Sequence, residues 1–178
     1  MCTMGQIMKW DELKSNYVRN KKVVDYIKSK YQVTELYDIT RIIFAQICSA
    51  VKYLHSHQIT NRDIKVDNIL CTETAEKIHE IKLTDFTTIR YNKDDISFFP
   101  SGTPGFRGPE HQFETEDGFS CKASDIWSIG ISMYTFYYEN FPFYGENELE
   151  IDCKAKNNAL EFDETCPEWL KGLIQRMT

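Results

Sequence analysis

The stretch Ile59-Thr60-Asn61-Arg62-Asp63-Ile64-Lys65-Val66-Asp67-Asn68 decides how this 178-residue chain is read. Asp63, Lys65 and Asn68 stand two and three residues apart, close enough to share one tight loop. A carboxylate, a cation and an amide oxygen are what phosphoryl transfer needs beside the attacking hydroxyl, the moving phosphate and a magnesium ion. Alone, a D-x-K-x-x-N spacing fits a solvated polar turn at least as well.

Working outward, Ile69-Leu70-Cys71 and Ile81-Lys82-Leu83 read as short strands around a polar connection. Thr84-Asp85-Phe86-Thr87 follows the second of them. Residues 87–110 gather Pro100, Pro104 and Pro109 with three glycines, which predicts a long loop. That loop ends in Gly102-Thr103-Pro104-Gly105-Phe106-Arg107-Gly108-Pro109-Glu110. Ser124-Asp125-Ile126-Trp127-Ser128-Ile129-Gly130 then opens an apolar run that predicts a helix over 124–138, buried on most sides, with Trp127 in the core. A lone acid at its start must find donors if buried, and backbone near Asn61 and Arg62 is the expected source.

Upstream, Ile39, Ile42, Ile43, Ile47, Val51 and Leu54 recur at three and four residues and predict a helix over 39–57, capped by Asp38 or Thr40. His55 and His57 then fall at its end as surface residues, because positions i and i+2 do not share a face. Further helices are expected over 146–157 and over 167–177, the latter with Pro167 in its first turn. Residues 1–38 are polar and mixed, with no element assigned. The fold class is mainly α with a small β element.

Four ordered motifs at this spacing resemble the protein kinase family. The first stretch is similar to its H-R-D-x-K-x-x-N catalytic loop, Asp85-Phe86-Thr87 to D-F-G, and Gly108-Pro109-Glu110 to A-P-E. The resemblance implies that Asp63 is the catalytic base and that Lys65 neutralises charge on the transferred phosphoryl. It also implies ATP as cofactor, magnesium held by Asn68 and Asp85, and a Thr103 that bonds Asp63 and Lys65 and shapes the substrate groove. Lys65 and Gly102-Thr103 are similar to serine/threonine rather than tyrosine kinases. Arg62 before Asp63 resembles kinases activated by a phosphate on this loop, with Ser97 or Ser101 as the favoured site and Arg62 and Arg90 as partners. Asp125 and Glu110 are implied to be structural anchors.

Two positions depart from the family pattern. Asn61 stands where the family has histidine, an architectural position. Thr87 replaces the glycine of D-F-G, where a β-branched residue resists conformations that glycine allows. Thr87 is therefore expected to restrict Asp85.

No G-x-G-x-x-G and no lysine of the V-A-I-K type occurs. The opening Cys2-Thr3-Met4-Gly5-Gln6-Ile7-Met8-Lys9 is similar to a kinase hinge, and Ile174-Gln175-Arg176-Met177-Thr178 falls before the last helix of the family fold. The expectation is a partial domain over 1–178. Residues 1–13 would be a hinge remnant and 14–178 the C-terminal lobe, with the N-terminal lobe essentially absent, or supplied by a partner. Little turnover is expected of such a chain alone, so a catalytically inactive pseudokinase acting as a binding module is the alternative to an ATP-dependent serine/threonine kinase. Phe119 to Trp127, Gly5 to Met8 and Ala159-Leu160-Glu161-Phe162 are similar to calmodulin-dependent protein kinase kinases and the related activators of the AMP-sensing kinase. The resemblance thus implies a protein substrate that is itself a kinase.

Composition excludes other classes. A net charge of −6 and a pI near 5.3 give no nucleic-acid footprint. No apolar run approaches the roughly 20 residues of a membrane helix. The six cysteines lie far apart, without zinc spacing, and are expected as reduced, mostly buried thiols. An intracellular protein of the cytoplasm or nucleus is expected.

Overall fold

The computed structural model describes residues 2–14, 16–73, 79–112, 117–157 and 160–178. Ala159 lies outside them. The elements run β1 (Cys2–Gln6), β2 (Met8–Asp11), β3 (Asn16–Arg19), α1 (Lys21–Tyr31), α2 (Leu36–Ser56), β4 (Ile59–Thr60), β5 (Ile69–Glu73), β6 (His79–Leu83), β7 (Arg90–Tyr91), β8 (Ile96–Ser97), β9 (Phe119–Ser120), α3 (Cys121–Tyr138), α4 (Glu148–Asn157) and α5 (Glu168–Met177).

Helix α3 is the axis of the molecule. Fourteen of its 18 residues are buried, so it has no solvent face of its own. Ser120 caps it, its hydroxyl accepting from the Ala123 N–H at 3.0 Å. The helix thus starts three residues before the predicted 124. Helix α2 lays Ile39, Ile43, Phe44, Ile47 and Val51 against it, and Phe44 meets Phe136 edge to face at 6.0 Å. Burying side chains of this size is worth about 1.5–3 kcal/mol each. The three-to-four-residue spacing places this helix well, but neither expected cap is used. Thr40 donates back to the Leu36 carbonyl, and Asp38 sits in the first turn paired with Arg41.

The β element is a three-stranded antiparallel sheet in the order β1-β5-β6. Strands β5 and β6 match the two predicted runs and extend toward each other by two residues each. The polar 1–38 region holds structure that periodicity does not show. Strands β2 and β3 form a hairpin, Met8 opposite Arg19, and α1 follows behind an Asn20 cap. Only Val23 and Ile27 of α1 are buried, too sparse a stripe to stand out among lysines.

The hairpin is clamped to the far end of α3. The Arg19 guanidinium donates to the carbonyls of Phe136 and Tyr137 and pairs with Glu139 at 3.0 Å. It satisfies carbonyls that a helix C-terminus leaves without partners. Helices α4 and α5 begin at Glu148 and Glu168, and Pro167 is the cap residue rather than part of the first turn. Cys71, Cys121 and Cys166 are buried as expected. Cys48 is only partly covered and Cys153 is exposed, because α4 turns Asp152 and Ala155 inward instead.

Candidate active site

The loop between β4 and β5 is held from below by Asp125. Its fully buried carboxylate accepts from the backbone N–H groups of Asn61 (2.9 Å) and Arg62 (2.8 Å), as the sequence suggests. A third partner is not foreseeable: His55 Nε2 lies 2.8 Å from Asp125 Oδ2. His55 is therefore a tertiary contact and not a free surface residue. His57 is exposed, as expected. Arg62 takes up φ +71°, and Gly102 crosses so close that an added Cβ would stand 2.2 Å from the Arg62 carbonyl oxygen. Gly102 itself has φ +90°, a second reason for glycine there.

This anchoring presents four side chains to one spot. Asp63 Oδ1 accepts from the Thr103 backbone N–H at 3.0 Å and the Thr103 hydroxyl at 2.7 Å. Lys65 Nζ donates to the same hydroxyl at 2.8 Å and stands 3.4 Å from Asp63 Oδ2. The Asn68 amide nitrogen donates to the Asp63 carbonyl at 2.9 Å and reaches Asp63 Oδ2 at 3.4 Å. That leaves the amide oxygen as the atom Asn68 can offer to a cation. Asn61 Oδ1 accepts the Asp63 N–H, which fixes the loop from its other side.

Asp85 follows Thr84, whose N–H and hydroxyl both donate to the Asn68 carbonyl. Asp85 has φ +59°. Its Oδ1 accepts from the Thr87 hydroxyl at 2.7 Å and the Thr87 N–H at 3.3 Å. These bonds, with a smaller pull from Lys65, hold its carboxyl below the usual aspartate range. Thr87 is thus hydrogen-bonded to Asp85, and the positive φ falls on Asp85 itself. One carboxylate and one amide oxygen are hard ligands that suit magnesium, whose remaining positions waters and phosphates normally fill. Among the described residues no group of three or more His, Cys, Asp or Glu side chains is placed to hold a metal.

The serines of the long loop are placed differently. Ser97 is fully buried in β8, its hydroxyl donating to the Phe99 carbonyl and accepting from Arg90. Its hydroxyl is closed off from solvent in this structure. Ser101 is partly exposed, and its N–H donates to His111 Nδ1 at 3.4 Å. Arg62 donates to the Phe99 carbonyl at 3.0 Å and so lies alongside this segment. Arg107 pairs with buried Asp152 at 2.6 Å and ties the segment to α4. Glu110 is half-buried, which raises its carboxyl pKa, and it shows no ion pair among the described residues.

His111, stacked on Phe119 at 4.1 Å, carries no signal in the sequence. Burial and then the nearby charges of Arg107 and Arg62 push its pKa down to about 4. The unfolded chain, titrating near 6.5, takes up the proton first as pH falls. Stability is therefore lost between about pH 6.5 and 4, up to about 3 kcal/mol. Urea unfolding of the wild type should show this loss. His111→Asn, which keeps an acceptor for Ser101 and does not titrate, should show a clearly flatter profile. Parallel profiles would remove His111 as the cause.

A sequence model of the protein kinase domain matches residues 9–178. The serine/threonine-protein kinase PSK1 of Saccharomyces cerevisiae is 33% identical over 153 residues, 85% of this chain and 11% of that protein. The ovarian-specific serine/threonine-protein kinase Lok of Drosophila melanogaster is 34% identical over 161 residues, 90% of this chain and 33% of that protein. A probable serine/threonine-protein kinase KIN1 homolog of Enterocytozoon bieneusi is 32% identical over 162 residues, 90% of this chain and 26% of that protein. The chain therefore spans a third or less of the length of these relatives.

Proposed function

Because the chain belongs to the protein kinase domain family, we propose that it transfers the γ-phosphoryl group of ATP to serine or threonine hydroxyls of a protein substrate. The observation that carries this reading is the closed Asp63–Thr103–Lys65 contact, which sets a base and a cation around one hydroxyl. Asp63 orients the acceptor hydroxyl and takes its proton. Lys65 neutralises charge as the phosphoryl group moves. Asn68 and Asp85 would hold magnesium, which when bound shields the phosphate oxygens. Thr103 fixes the angle between Asp63 and Lys65 by accepting from one and donating to the other.

The test is phosphoamino-acid analysis of a random peptide library labelled from Mg-ATP by the full-length protein. Phosphoserine and phosphothreonine are expected, and phosphotyrosine as the main product would contradict the reading.

Finer points belong to the same proposal. We place the acceptor on another protein kinase, by similarity of Phe119–Trp127 and Gly5–Met8 to kinases that activate kinases. We assign Ser101 over Ser97 as the regulatory hydroxyl, since only Ser101 is accessible. Free thiols suit a reducing, intracellular setting.

A second reading, a non-catalytic binding module, is favoured by one observation: Thr87 already occupies Asp85 Oδ1. Thr87→Gly should tighten magnesium-dependent ATP binding roughly two- to tenfold, the equivalent of one net hydrogen bond of about 0.5–1.5 kcal/mol. Thr87→Val, which loses the hydroxyl but keeps the branch, separates the bond from the bulk. Isothermal titration with and without magnesium reads both. Unchanged affinity in both variants would show that Thr87 places no restraint on the ion.

A further inference from the structure

Beside Thr103 lies a cavity of about 270 Å³ whose walls come from the β2–β3 hairpin, the 103–106 turn and the segment after α3. Trp10 and Tyr17 form one side, Phe106 and Phe141 the back, Tyr144 and Ile151 the far rim. It is smaller than the roughly 300–1,000 Å³ that hold a whole small molecule, and suits one side chain. The rings are locked together: Trp10 meets Tyr17 edge on at 5.3 Å, and Phe106 stacks on Phe141 at 4.8 Å. Gly105 permits that stack, since a Cβ there would stand 2.6 Å from the Phe141 ring.

No charged side chain lines this cavity among the described residues. Two carboxylates border the hairpin, and the hairpin itself engages both. The Tyr17 hydroxyl donates to Asp67 Oδ2 at 2.8 Å, and Arg19 pairs with Glu139 at 3.0 Å. Desolvation raises the Tyr17 pKa, with the adjacent Asp67 adding to it, so Tyr17 stays a donor. Asp67 lies within the loop that carries Asp63, Lys65 and Asn68. The cavity is likewise continuous with the catalytic group, because Thr103 lines it and bonds Asp63. A chain that presents a hydroxyl to Asp63 would lie beside Thr103 and so next to this cavity.

We propose that the β2–β3 hairpin is a specificity wall, and that the Trp10–Tyr17 cavity receives a bulky apolar side chain of the substrate close to the phosphorylated residue. By holding Asp67 Oδ2 with the Tyr17 hydroxyl, the hairpin at the same time competes with an arginine for that carboxylate. The occupant is the substrate's own chain, so the inference rests on the phosphotransfer reading. Trp10 is half exposed and touches none of the reacting atoms, which makes it a specificity residue rather than a catalytic one.

The test uses peptides of one serine in an alanine background with terminal lysines. A phenylalanine, or an arginine, is moved through the four positions on either side. Binding to the full-length protein is read by calorimetry, and kcat and KM are read separately with Mg-ATP. At one position phenylalanine should bind at least tenfold tighter than alanine, as a KM effect with kcat unchanged. Trp10→Ala should erase that preference and leave the alanine peptide unaffected. Tyr17→Phe, which keeps the ring and frees Asp67, should improve the arginine peptides several-fold. No position with a phenylalanine preference, or a preference that survives Trp10→Ala, would overturn the proposal. Binding preference without phosphate transfer would leave the cavity as an apolar peptide site and remove the phosphotransfer reading, and with it the claim that the occupant is a substrate. Transfer without preference would do the reverse.

Discussion

Asp63→Asn should lower phosphoryl transfer by roughly 10²–10⁴-fold, the usual worth of a positioned general base, and leave the fold and Mg-ATP affinity unchanged. The substitution is nearly isosteric. The introduced amide keeps an oxygen for the Thr103 N–H and hydroxyl, which approach Asp63 Oδ1 at 3.0 and 2.7 Å in the wild type. What it loses is the charge facing Lys65 at 3.4 Å and the capacity to take a proton. Because the Asp63 side chain is only 12% exposed, water has poor access to replace it as base. Initial-rate assays at saturating ATP, with ATP affinity measured in parallel, read the two effects apart. A loss below about threefold would mean that Asp63 is not the base.

Asp125→Ala should be the most destabilising single change at the site. One fully buried carboxylate serves the N–H groups of Asn61 and Arg62 and the His55 ring. Removing it strands all three in a place water does not reach. Breaking a buried, multiply bonded charge typically costs about 3–5 kcal/mol, against about 1 kcal/mol for an ordinary hydrogen bond. His55→Ala, which removes one partner and leaves the two backbone bonds, should cost roughly 1–2 kcal/mol by the same scale. Urea midpoints measure both. If Asp125→Ala does not fold, Asp125→Asn retains one acceptor and should give an intermediate loss. A loss below about 1 kcal/mol for Asp125→Ala would show that the loop is held by other contacts.

The contrast between Asp125 and His55 shows what is legible in the sequence. A lone acid at the head of an apolar helix has few donors to choose from, so its partners can be named in advance. His55 sits 70 residues from Asp125, and nothing in its own neighbourhood marks that contact. The same limit hides the hairpin. Met8 to Arg19 carries mixed residues whose burial depends on Glu139 and Asp67, far along the chain. Ser97 reads as an open loop hydroxyl, but β8 pairs with β9 and folds it inward. Thr87 does meet Asp85, and the contact is made by its hydroxyl and backbone N–H, which the residue type alone does not announce. The contacts among Asp63, Lys65 and Asn68 are legible because the three are local in sequence. Thr103 joins them from 40 residues away, and only the motif that carries it points there.

The most direct measurement is transfer of labelled γ-phosphate from Mg-ATP to a serine peptide by the full-length wild-type protein, with bound nucleotide quantified in the same sample. The account predicts magnesium-dependent phosphoserine that disappears when Lys65 is changed to alanine. Normal nucleotide binding with no phosphoserine formed would contradict it and identify the Asp63–Thr103–Lys65 cluster as a relic held in place by the fold.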